Sequence, residues 1–438
     1  MSQTLKHGVI KLMIQSLLKI KGPTYLIELK EKNGNVFFLK SGSPHDKDVT
    51  EYLFAFDPIF VEEIYTKQYK NFIKAGGWHK LRKALGNGLL TSEEPIHLEH
   101  RRILNPGFHV KKINAYASQM HDLIKIETNS WINKEEIDLN DSVTQLTYSI
   151  LTNTIFNNDM QENFNDLKKI FFIILEKAGK GETSTPGSMD KYGDDLKNLM
   201  DKVIKKRLDS PNKEKDFLDL LIDASISDSK ITLQDVSDEV LTMLLAGHET
   251  TASTVTWAIC HLSLNKEFFE IIKKESLEYS KKAKDGDQIS LLKDLKFSKY
   301  VINEILRLYP PVWFSPRTAI CDTQIKDTFI PKGTRVILSS YVMQRDEKYF
   351  EHPNEFLPMR WDNGLENNLP EGVFWPFHLG PRKCIGYQFA LMQSQISLLE
   401  IFSKMNIELL EGMPEGLAIA TYRPLGEIKV KIKKDVQK

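Results

Sequence analysis

The chain reads as one mainly α-helical domain with a smaller β region, spanning residues 1–438. Three observations predict this. A helical pattern runs from a cap at Thr232 to about Asn265. That is roughly 33 residues, or about 50 Å at 1.5 Å per residue, so the helix must cross the whole domain. Helical periodicity also dominates about 90–310 and 385–405, whereas alternating β-branched and aromatic runs collect at about 24–56 and 315–345 and in a C-terminal hairpin. Finally, no Gly/Ser/Pro linker, charge run or repeat divides the chain, which sets aside the length prior of two or three domains.

Composition narrows the function. Basic and acidic residues balance at 59 each, so no nucleic acid or other strongly charged partner is indicated. The three cysteines, Cys260, Cys321 and Cys384, are odd in number and scattered. This argues against a disulfide framework and for a reducing, cytoplasmic setting. No run of about 20 apolar residues is present, so a soluble protein without a transmembrane segment is expected. The stretch His7 to Ile20 is amphipathic and basic, and packs on the protein or touches a membrane peripherally.

In chain order, Tyr25 to Lys30 and Asn35 to Lys40 flank Lys32-Asn33-Gly34, which predicts a hairpin. Asp57-Pro58 opens a helix through Val61, Ile64 and Tyr65. Gly76-Gly77 and Gly86-Asn87-Gly88 predict a long, mobile connection. A helix follows from Pro95 to Arg102, ending near Asn105-Pro106-Gly107. Phe164 to Ala178 and Asp190 to Leu208 form an amphipathic pair joined by the loose tip Gly179 to Gly187, a plausible lid. Tyr300 to Leu308 is a helix stopped by Pro310-Pro311. Arg317 to Leu338 is β-rich, Tyr387 to Phe402 is helical, and Pro414 to Ala420 with Tyr422-Arg423-Pro424 forms a terminal hairpin.

Four stretches carry chemistry. In Phe377-His378-Leu379-Gly380-Pro381-Arg382-Lys383-Cys384-Ile385-Gly386 a cysteine sits between glycines just before a helix. Backbone N–H groups and the helix dipole there favour a thiolate by about 0.3–1 kcal/mol, suited to a metal ligand or nucleophile. The alternative is a small buried hydrophobe. His97 and Arg101 share a helix face, which by itself reads as a solvated charged surface. His97 and His100 lack a third metal ligand nearby. In the middle of the longest helix, Ala246-Gly247-His248-Glu249-Thr250-Thr251 is poor helix-forming material. It marks a functional site or a bend, or its threonines bond back to carbonyls four residues earlier. A zinc-protease reading of His248-Glu249 fails because position 252 is Ala252. Glu304-Ile305-Leu306-Arg307 places opposite charges three apart on one face.

The pattern Phe-x-x-Gly-x-Arg-x-Cys-x-Gly arises by chance less than about once in ten thousand chains of this length. It resembles the haem-ligand loop of the cytochrome P450 family. The resemblance covers about Gly86 to Pro424, with five motifs in the family's order. It implies the cytochrome P450 fold, haem b (iron protoporphyrin IX) as cofactor, and Cys384 as the axial thiolate. By it, Phe377 packs against the loop and Gly386 lets the backbone approach the porphyrin. His97, Arg101, Arg317 and Arg382 bind the propionates. Thr250 acts as hydrogen-bond donor toward dioxygen, with Glu249 relaying protons, where a widened helix makes room. Glu304, Arg307 and Arg360 form a buried network supporting the loop, although Met359 stands where the family often has glutamate.

The function implied is a haem-thiolate monooxygenase. No flavin or iron–sulfur domain follows the hairpin, so electrons from NAD(P)H are expected through separate partners such as a ferredoxin and its reductase, docking at Lys383, Arg102, Lys111 and Lys112. Rival readings are a haem-thiolate peroxygenase or isomerase, and a non-catalytic haem sensor. Ala84, Leu85, Leu245, Ala246, Val312 and Leu417 are expected to line an apolar substrate pocket. A fatty acid is the first expectation, because Gly86-Asn87-Gly88-Leu89 resembles fatty-acid hydroxylases; a terpenoid, steroid or secondary metabolite is next.

Overall fold

The computed structural model describes residues 22–41, 50–157, 161–180, 189–210, 215–227, 231–283 and 288–434. The N-terminal amphipathic stretch and most of the tip between the paired helices lie outside the described residues.

The chain opens with helix α1 (Thr24–Asn33), where a hairpin strand is expected from the sequence. Leu26 and Leu29 are the buried positions, a helical rather than alternating spacing. Gly34, at φ 86°, caps this helix through its N–H to the Lys30 carbonyl instead of turning a hairpin. Strand β1 (Val36–Ser41) therefore pairs with β2 (Thr50–Ala55). A short helix α2 (Pro58–Glu62), capped by Asp57, leads through a π turn at Glu63–Lys67 to β3 (Phe72–Lys74).

The two glycine pairs expected to mark a loop resolve differently. Helix α3 (Gly76–Leu85) forms because Leu81, Ala84 and Leu85 bury one face, which outweighs the cost of glycine at its start. The following Gly86–Leu89 turn is tied down: Asn87 and Leu89 donate N–H bonds of 2.6 and 3.1 Å to Asp238 and Glu239.

Helices α4 (Ile96–Leu104) and α5 (Val110–Ile132), strand β4 (Glu136–Asp138) and helices α6 (Leu139–Ile155), α7 (Phe164–Lys180), α8 (Asp190–Asp209) and α9 (Phe217–Ser227) follow. Next comes the longest helix, α10 (Leu233–Leu264). Its capping box is the expected one: Thr232 accepts the Asp235 N–H at 3.2 Å, and Asp235 accepts the Thr232 N–H at 2.7 Å. Helix α10 packs on α6 and α9, and on two later helices, α13 (Lys296–Leu308) and α16 (Tyr387–Lys404). It forms the centre of the helical core. Between α10 and α13 lie α11 (Lys266–Lys282) and α12 (Gln288–Asp294).

The β region gathers strands distant in sequence. A five-stranded sheet runs β1-β2-β8-β5-β3, with β5 (Arg317–Ala319) and β8 (Arg335–Ile337) flanking the small hairpin β6 (Thr323–Ile325) and β7 (Thr328–Ile330). Its β2–β8 pair is parallel and the others antiparallel. Short helices α14 (Ser340–Met343) and α15 (Leu365–Asn368) precede α16. Strand β9 (Met405–Leu409) then joins β4 and β12 (Lys429–Lys434), while β10 (Gly416–Ala418) and β11 (Tyr422–Pro424) make the expected terminal hairpin. Among the described residues no helix is long and apolar enough to cross a membrane.

Candidate active site

The loop before α16 is held at both ends. The Cys384 N–H donates to the Phe377 carbonyl at 2.8 Å, closing it on itself. His378 and Gly380 both have positive φ, 59° and 61°. At Gly380 glycine is required twice over, since a Cβ would stand 2.1 Å from the Tyr65 carbonyl oxygen. His378 Nε2 lies 2.9 Å from the Ser315 hydroxyl. Gly386 is the N-cap of α16, and Cys384 lies just before it, opening into a large apolar cavity. Of the other cysteines, Cys260 is fully buried with its thiol pushed up to about 12 by burial, and Cys321 is exposed on the surface.

The Gly386 N–H acts toward a thiolate as expected, but burial outweighs it. Burial raises the Cys384 thiol pKa; the Gly386 N–H, Arg101 and Lys383 pull it down and do not fully compensate. A metal cation in place of the proton would supply the missing compensation.

Helix α10 forms the wall facing Cys384, through Ala246, Gly247, Thr250, Thr251 and Thr254. The helix is continuous here, without the expected break. Gly247 serves close packing: a Cβ would meet Leu151 of α6 at 2.9 Å. Thr250 Oγ1 donates to the Ala246 carbonyl at 2.8 Å and Thr251 Oγ1 to that of Gly247 at 3.2 Å, so both threonines bond back along the helix while facing the cavity. Glu249 does not line the cavity. Its Oε1 accepts from Thr421 Oγ1 at 2.8 Å and lies 3.3 Å from Arg423 Nη1, both on the terminal hairpin. Burial raises its carboxyl pKa, and Arg423 and Thr421 partly offset this.

His97, Arg101, Arg317 and Arg382 all line the same cavity. Arg101 donates to the Lys383 carbonyl at 2.7 Å, and Arg382 reaches the Ser92 carbonyl at 2.8 Å and Glu93 at 2.7 Å. Arg317 sits 4.7 Å over the Tyr65 ring and donates to Ser315. His97 Nδ1 is 3.1 Å from Glu94, and burial, followed by Arg382 and Lys74, holds it neutral. His100 turns away, its Nδ1 2.7 Å from Glu239; among the described residues no His/Cys/Asp/Glu cluster could hold a bare metal ion.

Sequence reading missed Lys74. It is buried, donates to the Leu89 and Ser92 carbonyls, and its pKa is lowered to about 6 by burial and then by Arg382. The available signal was a lysine at an inward position of the alternating Phe72-Ile73-Lys74 strand, whose burial pattern is buried, half-buried, buried.

Of the expected pocket residues, Ala246 and Val312 line the cavity. Ala84, Leu85 and Leu245 belong to the helical core, and Leu417 pairs with Arg423 in the hairpin. Leu245 is one residue, hence about 100°, round the helix from Ala246. The apolar lining comes instead from Leu89, Leu90, Phe108, Leu151, Met243 and Phe377, among others.

Behind the loop, Glu304 and Arg307 are wholly buried. Glu304 accepts from Arg307 Nη2 at 2.7 Å and Nε at 2.9 Å, from Trp361 Nε1 at 2.9 Å, from the Leu357 N–H at 3.0 Å and from Arg360 Nε at 3.1 Å. Gln344, which the sequence did not single out, extends the network: it bonds the Leu306 and Arg307 carbonyls and accepts the Trp375 N–H at the start of the loop.

These residues fit an iron porphyrin. A cysteine faces an apolar slot wide enough to be lined by α10 and α16 together, and cations meet at one edge where two carboxylates would lie. A Cβ on Gly386 would meet no protein atom nearer than 3.8 Å, so the space its missing side chain leaves opens toward that slot.

Fold and site thus fit a haem-thiolate protein, and comparison with known proteins places it further. A family model for Cytochrome P450 matches residues 11–420. A crystal structure of a cytochrome P450 (CYP102L1) superposes with a TM-score of 0.81 over 94% of each chain at 21% identity, a likeness of fold. Cyclooctatin synthase of Streptomyces melanosporofaciens is 29% identical, over 76% of this chain and 75% of that protein. Cyclooctat-9-en-7-ol 5-monooxygenase of the same organism is 28% identical over 78% and 77%. Echinocystic acid 23-monooxygenase of Saponaria officinalis is 29% identical over 81% and 74%. The chain belongs to the cytochrome P450 family and is a monooxygenase of it.

Proposed function

We propose that this monooxygenase binds haem b through Cys384 and inserts one atom of dioxygen into a C–H or C=C bond of a lipophilic, carbocyclic substrate, with electrons from NAD(P)H through a separate carrier. The observation that carries the reading is Cys384 facing Ala246, Gly247, Thr250 and Thr251 of α10 across an apolar cavity edged by cations. Haem with a thiolate ligand activates dioxygen, the thiolate's electron donation favouring O–O cleavage.

The chain's own residues do the rest. His97, Arg101, Arg317 and Arg382, with Lys74, line the cavity and would hold the cofactor's propionates. Leu89, Leu90, Phe108, Leu151 and Met243 exclude water and hold the substrate by apolar contact. Thr250 already gives its one hydroxyl proton to Ala246, so donating into the cavity requires exchanging that carbonyl for a new acceptor. Lys383, Arg102, Lys111 and Lys112 are exposed near the loop and offer an acidic carrier a cationic face.

Substrate choice follows the relatives, whose names include a monooxygenase of cyclooctat-9-en-7-ol and one of echinocystic acid. A terpenoid-like ring system is therefore preferred over the fatty acid suggested by the Gly86–Leu89 stretch. The test is a panel of terpenoids, steroids and fatty acids screened for the low-spin to high-spin shift, then for NAD(P)H-dependent product with a ferredoxin and reductase. Oxygenated ring products support the reading. Fatty-acid turnover alone overturns the substrate class, and peroxide-driven turnover outpacing the reductase-supported reaction overturns the electron route.

A further inference from the structure

We propose that Asp238 and Glu239, two acids outside the cavity, determine how bulky a ring substrate it admits. They are positioning residues that hold the turn at 86–90 against α10, and with it the wall made by Leu89 and Leu90. This rests on the monooxygenase reading for what the cavity takes in. Leu89 and Leu90 line the cavity and neither acid does, so the acids act on a ligand only through the turn.

The turn lies directly on the helix. A Cβ on Gly86 would stand 2.0 Å from Asp238 Cγ. One on Gly88 would stand 2.3 Å from Thr242 Oγ1 and 2.6 Å from the Asp238 carbonyl oxygen. The Asn87 N–H donates to Asp238 Oδ2 at 2.6 Å and the Leu89 N–H to Glu239 Oε2 at 3.1 Å. Two anchors two residues apart fix the tilt of the turn as well as its distance from α10. Leu89 is gripped on its other side too, because its carbonyl accepts from Lys74 Nζ at 3.2 Å. A residue held at its N–H by a carboxylate and at its carbonyl by a buried lysine keeps its side chain in the cavity wall.

Each acid is itself held by a second group. Gln234 Nε2 donates to Asp238 Oδ1 at 2.8 Å, and His100 Nδ1 lies 2.7 Å from Glu239 Oε1. One oxygen of each carboxylate thus serves the turn and the other serves a helix. The Glu239 and His100 side chains are only 3% and 4% exposed, so no bulk water replaces a lost partner there. Asp235, 4.0 Å from His100 Nε2, is a further acid facing that imidazole. Burial raises both carboxyl pKa values, and the bonds from Asn87 and Leu89 are among those that lower them again. Turn and acids stabilise one another. A fused ring cannot bend around a leucine as an acyl chain can, so the position of this wall becomes a size limit.

The experiment uses the haem-loaded protein and its Asp238→Ala, Glu239→Ala, Asp238→Asn and Glu239→Gln variants. Alanine removes the acceptor, whereas each amide keeps one oxygen for the N–H of the turn. The probes are imidazole and clotrimazole, which both ligate haem iron through nitrogen and differ in bulk. Their spectral shifts give dissociation constants that need neither substrate nor turnover. One methylene of fit in an apolar pocket changes discrimination roughly 10–200-fold, so both alanine variants should favour clotrimazole over imidazole by about tenfold or more. The amide variants should keep most of the original ratio. Deuterium exchange in the peptide spanning 86–92 should quicken in the alanine variants and stay near its original rate in the amides. A ratio that is unchanged, or moves against clotrimazole, in either alanine variant overturns the proposal, even with a lowered melting temperature. So does unaltered exchange at the turn, or an amide variant that behaves like its alanine counterpart. If the alanine variants fail to fold, Gly88→Ala decides, since its Cβ displaces the turn and leaves both carboxylates in place; an unchanged ratio there overturns the proposal. Absence of a thiolate-type carbonyl spectrum in the unaltered protein overturns the monooxygenase reading instead, and leaves the exchange test of the anchors standing.

Discussion

Replacing Glu304 by glutamine removes one buried charge and leaves shape almost unchanged. The carboxylate accepts five hydrogen bonds, three at Oε1 and two at Oε2. A glutamine must put its amide nitrogen at one of those places. The cheaper orientation sets Nε2 against Arg307 Nε and Trp361 Nε1, so two bonds are lost; the other loses three. Each buried donor left unsatisfied costs about 1–3 kcal/mol. Arg307, wholly buried, also loses its counter-charge. Breaking such a pair costs roughly 3–5 kcal/mol, a large part of the ~5–15 kcal/mol that holds a typical protein folded. Arg307 further donates to the Gln344, Pro353 and Glu355 carbonyls, and Gln344 holds Trp375. The damage should therefore reach the cysteine loop as early haem loss. Urea unfolding followed by circular dichroism should show a lower midpoint at unchanged slope, and the haem absorbance should fall before the helical signal. A cost below about 1 kcal/mol with unchanged haem retention would refute the reasoning, because an isolated surface pair is worth that little.

Three further outcomes are expected. Cys384→Ser should keep the helical spectrum and lose the red-shifted carbonyl Soret band and oxygenase activity; retention of both would remove Cys384 as ligand. Gly380→Ala should release haem at a lower temperature, since a left-handed φ costs a residue with a Cβ roughly 1–2 kcal/mol and here the Cβ also meets the Tyr65 carbonyl; an unaltered release temperature counts against that. The haem-free protein should gain stability as pH rises from about 6 toward 10.5. In that window unfolded Lys74 binds a proton that folded Lys74, its pKa lowered to about 6, does not. Lys74→Met should flatten this slope in thermal melts across pH while weakening haem retention.

Much was legible because it is local. The capping box at Thr232 and Asp235 needs only residues three apart, and the length of α10 follows from the apolar pattern on either side of Ala246–Thr251. The cysteine loop is a contiguous motif before a helix, with glycine where the backbone allows nothing else. The misreadings come from places where two local signals compete. Asn33-Gly34 ends a helix as readily as it turns a hairpin, and which occurs depends on Leu26 and Leu29 finding a core. Gly76-Gly77 promised a loop, but the burial of Leu81, Ala84 and Leu85 prevailed.

By itself the sequence determined the family, the helical frame, the cysteine loop before α16 and the charged residues able to pair. These depend on residue type and short spacing. The tertiary structure alone decided which partners meet. Glu304 and Arg360 are 56 residues apart, Arg382 and Glu93 are 289 apart, and Thr421 and Glu249 are 172 apart. It also decided which face of each helix sees the cavity, so that Ala246 lines it, Leu245 does not, and Glu249 looks outward to the hairpin. Direction and burial are properties of the packed chain, because a side chain's charge state and reach are set by neighbours that sequence order does not place beside it.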